Sequence, residues 1–417
     1  MDWLGTYRHW TKDYEAPDVY HKWSAVTVFA HALGRRIFCA LDGMIVFPGH
    51  MMTLLVGPPA ILRKSSTAGR AAGLIANAQD RCKDPSRLNF MADRVSNESI
   101  FDNLYGEADP ENVDCMGFLY ASEFSSIANK NSYMEEIPEI LCNLYDCALG
   151  EYEPETRTVK PAFFKRRFRR DAATGGLRLR NPGITLLACT TSTHMQKTLP
   201  PYIRSTGFLS RVLVIYAERS NRPPNPLTNT DPERWHTQSW LTDQLALATE
   251  IEGEVVMTPA CREAYEAWYA KKQLQIRGVT EDSIVHGFAS RSHLHALRLA
   301  IIFAGINQLG HPVRNRLIPM ELSYWEAATN WIQAIENTLP AACGELAQDR
   351  SHRCEERLLN GIRLRTGTGK KKWANYRDVF TYTCKGQDRF KRDEIKTTLE
   401  RLLDLHTIER EIGRAHV

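Results

Sequence analysis

The sequence predicts an α/β protein with a three-layer core, a helical region after it and a small winged-helix-like unit at the C-terminus. Three observations carry that prediction. The runs Met52–Val56, Gly117–Ala121 and Ile184–Thr190 are unbroken apolar stretches, as strands covered on both faces must be. Stretches of helical periodicity separate them, the alternation of a parallel sheet held between layers of helices. Past the Pro- and Asn-rich segment Arg219–Pro232 the apolar spacing turns wholly helical.

Taken in order, residues 1–50 form a helical lead-in, with a helix expected over Tyr20–Gly34 and a short apolar stretch, Ile45-Val46-Phe47, running into the core. The core spans 51–220, and Val212–Tyr216 supplies its fourth apolar run. A domain boundary is expected in Arg219–Pro232. The helical region, 233–345, holds Thr258–Arg277, Gly287–Leu309 and Glu321–Leu339, whose apolar residues recur about every 3.6 positions. After Gly367–Lys372, the unit at 352–417 has two helical stretches, Tyr376–Cys384 and Lys391–Leu405. Its size and order fit a winged helix, and small helical units of other kinds give the same trace. There is no internal repeat.

With 417 residues the chain has length for two or three domains. The net charge of +4 is too small to identify a partner, so any argument for nucleic acid rests on where basic residues cluster. Ten cysteines without a CxxC pair argue against a zinc ribbon and a secreted disulfide framework. The first residues lack a signal-peptide pattern, and no run approaches the roughly 18 apolar residues of a bilayer span. The expectation is a soluble, cytoplasmic protein with no membrane partner.

The segment Leu54-Leu55-Val56-Gly57-Pro58-Pro59-Ala60-Ile61-Leu62-Arg63-Lys64-Ser65-Ser66 is an apolar strand, a turn and a Lys-Ser that opens a helix. Backbone amides of such a turn surround a phosphate, the lysine reaches the terminal phosphates and the next hydroxyl holds Mg²⁺. Its spelling departs from G-x-x-x-x-G-K-[ST]. Gly57 lies one residue further from Lys64 than usual, and Arg63 stands in place of the final glycine. A strand-turn-helix with an incidental Lys-Ser is the competing reading. Two later strand ends argue against it: Ser122-Glu123-Phe124 offers a carboxylate that could polarise a water, and Thr190-Thr191-Ser192 offers hydroxyls that could sense a γ-phosphate.

Between those strand ends, at 151–183, lies the strongest charge cluster of the chain. It contains Lys160, Phe163, Phe164, Lys165, Arg166, Arg167, Arg169 and Arg170, then Gly175-Gly176 and Arg178. Alternating flanks around a Gly-bearing middle predict a hairpin. Arginines interleaved with aromatics suit a single strand, since guanidinium groups neutralise phosphates while rings stack on bases. A solvated arm, or one that docks on an acidic partner, is the competing reading. Lys370-Lys371-Lys372, Arg389, Lys391, Arg392 and Lys396 near the C-terminus could contact duplex DNA or regulate a ring, and a solvated helix face is the competing reading.

Together these segments resemble the AAA+ P-loop NTPases, and among them the minichromosome-maintenance-type helicases and the primase-helicase-like replication proteins of phages and plasmids. The resemblance covers roughly Leu54 to Ala304 and rests on Ser122-Glu123-Phe124, on Gly207-Phe208-Leu209-Ser210-Arg211-Val212, and on Arg291 and Arg298 seven apart. It implies an ATPase and DNA helicase with ATP and Mg²⁺ as cofactors. Gly57, Pro58, Arg63, Lys64, Ser65 and Ser66 would hold the nucleotide, and Ser65 and Ser122 the metal. Glu123 would polarise water, Thr191 replace a sensor asparagine, Arg211 be the arginine finger and Arg291 the second sensor. Ser122 stands where the family has an aspartate. The resemblance also implies a homo-oligomer, a hexameric ring with ATP sites between subunits and hairpins that grip single-stranded DNA in the pore. An ATP-switched replication initiator or loader that does not unwind DNA is the alternative function.

Overall fold

A computed structural model of the chain describes residues 2–41, 44–92, 96–105, 114–127, 137–146, 151–166, 177–195, 207–225, 232–276, 284–310, 316–343, 350–366, 374–384, 390, 392–404, 409–411 and 414–416. Two compact units result: Met1–Val279 with Ile284–Cys343, and Thr280–Ser283 with Gly344–Val417.

The strands of the first unit, in chain order, are β1 (Ile37–Leu41), β2 (Met44–Val46), β3 (Met52–Gly57), β4 (Phe90–Ala92), β5 (Met116–Ala121), β6 (Tyr152–Glu153), β7 (Thr158–Val159), β8 (Phe163–Arg166), β9 (Leu177–Arg180), β10 (Gly183–Thr191), β11 (Val212–Tyr216), β12 (Gly253–Met257) and β13 (Arg316–Met320). A five-stranded, all-parallel sheet runs in the order β11-β3-β10-β5-β4. Its inner strands are the expected apolar runs, and β3 and β10 are buried along almost their whole length. An α/β architecture with a parallel sheet is therefore observed. The helix Asp18–Leu33 packs on β3 and β10 and buries polar groups in pairs, Thr27 with Thr53 at 2.7 Å and His31 Nδ1 with Thr185 Oγ1 at 3.2 Å. Burial holds the His31 imidazole down at about 3, so it sits in the core uncharged.

The second sheet departs from the sequence expectation. Its order is β13-β12-β1-β2, with β1, β12 and β13 parallel and β2 antiparallel to β1. Residues 1–50 are thus not a purely helical lead-in, and 233–345 is not a purely helical region. Strands from both segments pair with each other, so the flanks of Arg219–Pro232 belong to one unit. Each of these strands is short, and β13 carries Pro319, which its edge position tolerates because a ladder N–H is not required there.

The second unit packs the helices Arg350–Thr366, Tyr376–Cys384 and Arg392–Asp404 around Leu358, Ile362, Val379, Ile395 and Leu402. A small antiparallel sheet accompanies them: β14 (Ala374–Asn375), β15 (Glu409–Glu411) and β16 (Arg414–His416), in the order β14-β16-β15. Among the described residues no helix of the chain is long and apolar enough to cross a membrane.

Candidate functional site

At the C-terminal end of β3 the chain turns through Pro58–Arg63 into the helix Lys64–Gln79. Two residues of this turn have left-handed backbone, Ala60 at φ 62° and Arg63 at φ 49°. That conformation favours glycine, so Arg63 holds a backbone that a glycine would adopt more easily. The arginine side chain is directed outward, 59% exposed, and pairs with Glu15.

Gly57 is required for a different reason. A Cβ there would lie 2.4 Å from Tyr20 Oη, 2.5 Å from the Ala217 carbonyl and 2.8 Å from Leu62 Cδ1. Tyr20 Oη donates to the Val56 carbonyl at 2.7 Å and fixes the start of the turn, while Leu62 is fully buried beneath it.

Lys64 folds back over the turn. Its Nζ donates to the carbonyls of Gly57 at 3.0 Å and Pro58 at 2.6 Å. The side chain is largely buried, and desolvation lowers its pKa despite the opposing pull of the Glu123 charge. By helix geometry the amides of Lys64, Ser65 and Ser66 have no acceptor within the helix, and among the described residues no N-cap side chain bonds to them; the first intrahelical bond is Thr67 N–H to the Arg63 carbonyl at 2.9 Å. This leaves three amides at the positive end of a four-turn helix, the arrangement that binds anions. A cleft of about 480 Å³ adjoins it, lined by Tyr14, Arg63, Ser66, Arg70, Pro224 and Asn225, with the Arg70 guanidinium 3.5 Å over the Tyr14 ring.

The sheet register brings three of the other expected residues to this end. Thr191 is the direct partner of Gly57 across the β10–β3 ladder. Ala121, at the end of β5, pairs with Ala188 of β10, and the chain continues into half-exposed Ser122 and exposed Glu123. Glu123 is near enough for its charge to act on Lys64 and on His194. The His194 amide donates to Thr191 Oγ1 at 3.1 Å, while the His194 Nε2 is buried without a hydrogen-bond partner among the described residues.

Arg211 and Arg291 are not brought to this end. Val212 pairs with Met52, at the start of β3, whereas the turn before Lys64 follows Gly57. Five residues of strand, from Met52 to Gly57, separate the two levels, roughly 17 Å at ~3.3 Å per residue. Both guanidinium groups meet instead on Asp146, at the end of the helix Ile137–Asp146. Nothing in the spacing around Asp146 signals this from sequence, because the carboxylate and its partners come from three separate segments. Tyr20 was equally silent, one apolar-face residue among many in its helix.

The basic segment is two small hairpins. β6 pairs with β7, and β8 with β9, with Phe163 opposite Arg180 and Lys165 opposite Arg178. Lys160 sits between the hairpins and is paired with Glu151 at 3.3 Å and Glu153 at 3.0 Å. Phe163 is 40% exposed. Phe164, Lys165 and Arg166 are strand positions of β8, and Arg167, Arg169 and Arg170 lie outside the described residues, as do Lys370–Lys372, Arg389 and Lys391. Arg392 and Lys396 are exposed on their helix.

No known protein-family model matches this chain, and no curated protein matches it either.

Proposed function

We propose that this chain is an ATP-hydrolysing motor of the AAA+ P-loop type that moves along nucleic acid, and in its narrowest form a replicative DNA helicase of a phage or other mobile element. The observation that carries the reading is the convergence at one sheet end of Lys64, three helix amides without an intrahelical or N-cap acceptor among the described residues, Thr191 opposite Gly57, and the Glu123 carboxylate. A phosphate chain fits that donor set, and the adjoining cleft offers room for the nucleoside. Ser65 and Ser122 would hold Mg²⁺, which supplies charge neutralisation to the phosphates when bound. The amides and Lys64 bind and orient the terminal phosphates, Glu123 draws a proton from the attacking water, and Thr191 fixes that water's position.

Support for catalysis between copies comes from the distance of Arg211 from its own loop. An arginine at the far end of the sheet serves a neighbour's phosphates, so turnover depends on a ring, for which we propose six copies. The order of elements in the second unit, a helix, a short strand, two helices and two paired strands, supports a winged-helix reading. Exposed Phe163 beside a strongly basic strand pair supports single-stranded DNA as the partner of the β8–β9 hairpin.

The test is ATP hydrolysis with and without single-stranded DNA, for the parent chain and Lys64→Ala. Hydrolysis stimulated by DNA and lost in the variant is expected, with DNA affinity falling as salt rises at a slope of about −0.7 per neutralised phosphate. An inactive parent, or an unaffected variant, overturns the reading. Ser122, standing where the resembled family has a carboxylate, favours a second reading as an ATP-switched initiator or loader. Strand displacement on a forked substrate separates the two.

A further inference from the structure

We infer that Asp146 is a positioning residue that binds Arg211 and Arg291 into one two-pronged cationic unit, presented to phosphates held by a neighbouring copy; this deepens the proposed function and rests on it. Arg211 Nε donates to Asp146 Oδ2 at 2.9 Å, Nη2 reaches the same oxygen, and Nη1 donates to the Gly207 carbonyl at 2.9 Å. Arg291 Nη1 lies 3.5 Å from Oδ1. The two oxygens of one carboxylate are thus divided between two arginines.

The surrounding backbone is shaped for this arrangement. Gly207 has φ 68°, and a Cβ there would come within 2.9 Å of Arg211 Nη1, so the residue provides both the turn and the room for the guanidinium. The neighbouring His295 Nε2 donates to the Ser210 carbonyl at 3.0 Å and ties the helix of Arg291 to the turn of Arg211. Without the carboxylate, two like charges would repel, and a long arginine side chain would sample many rotamers. With it, the group retains a net charge of about +1. Asp146 is 43% exposed, Arg291 29% and Arg211 13%, so the carboxylate and Arg291 reach the surface while Arg211 is the more enclosed prong behind them. The strand register sets it at the far end of the sheet from its own phosphate loop, so a cation fixed here acts on another molecule.

The experiment uses full-length chains and Asp146→Asn, which keeps the shape and one acceptor and removes the charge. With ATP and Mg²⁺, kcat falls by about 100-fold, as for a catalytic group displaced by about an ångström, while KM for ATP and the melting temperature hold. Asp146→Glu restores part of the rate. Mixing gives the decisive readout. A Lys64→Ala chain has a disabled loop and intact arginines, so it rescues Asp146→Asn in mixed rings. An Arg211→Ala chain does not. Rescue by Arg211→Ala, or full kcat for Asp146→Asn alone, overturns the assignment while leaving the proposed function standing. An unmodified chain that fails to hydrolyse ATP overturns both.

Discussion

The two ends of the central sheet are built on opposite electrostatic plans. At the C-terminal end, among the described residues Lys64 donates to carbonyls of its own turn and the first amides of its helix have no intrahelical acceptor. At the N-terminal end, Arg211 and Arg291 share an internal carboxylate. One end offers donors suited to an anion from outside, while the other keeps its cations ordered by an anion from within. On the proposed function, the difference would let one chain carry both halves of a site without closing that site by itself.

The largest effect should come from removing the ordered cation. Arg211→Ala should lower ATP hydrolysis by on the order of 10³–10⁵-fold and leave ATP binding intact, as measured by steady-state turnover beside equilibrium titration. If binding and turnover fell together, the two ends would not be separable in the way the register implies.

Gly57→Ala strikes the other end. Its methyl would collide with the Ala217 carbonyl and the Tyr20 hydroxyl, both fixed groups, so a loss of about 1–3 kcal/mol is expected from denaturant midpoints. ATP binding should weaken with it. An unchanged midpoint would mean that the turn is looser than its contacts indicate.

Acid should destabilise the folded chain, in part through the arginine end. Burial first, then the nearby Arg298 charge, hold His295 at about 3 in the folded chain, against an ordinary value of 6.5, with Arg291 and His293 adding to the effect and the bond to the Ser210 carbonyl opposing it. The unfolded chain therefore takes up the proton first. The stability from this group is complete above about pH 6.5 and is lost as pH falls toward 3, at about 1.4 kcal/mol per pH unit. His31 adds a loss of the same sign from the core. His295→Gln, which retains a donor, should flatten the melting temperature against pH by its share; an unaltered slope would assign the acid sensitivity elsewhere.

The smallest effect concerns the spelling of the loop. Arg63→Gly relieves a left-handed non-glycine residue, worth about 1 kcal/mol, and removes a solvent-screened surface pair with Glu15. A stability gain under about 1 kcal/mol with unchanged turnover is expected. A loss of turnover would give the guanidinium itself a part at the site.

What the sequence revealed follows from how local each signal is. The inner strands of the parallel sheet were legible because burial on both faces imposes an unbroken apolar run, and Val212–Tyr216 was placed to the residue. The turn before Lys64 was legible through its Lys-Ser and its helix, although its left-handed residues are not glycines. β1, β12 and β13 were not legible. Each has five residues, too few for alternation to stand out, and each depends on partners more than sixty residues away or further. Asp146 was hidden for the same reason: its significance lies wholly in two cations contributed by distant segments.

The second sheet also has a bearing on how the chain is made. Ile37 pairs with Gly253, and Gly253 with Arg316, so an early strand must wait for two late ones. A ribosome adding roughly 5–20 residues per second exposes that unsatisfied edge for many seconds before its partners emerge. Slow, non-local closure of this kind leaves the nascent N-terminal segment prone to association with other chains, and fragments ending before residue 320 should need a chaperone to stay dispersed.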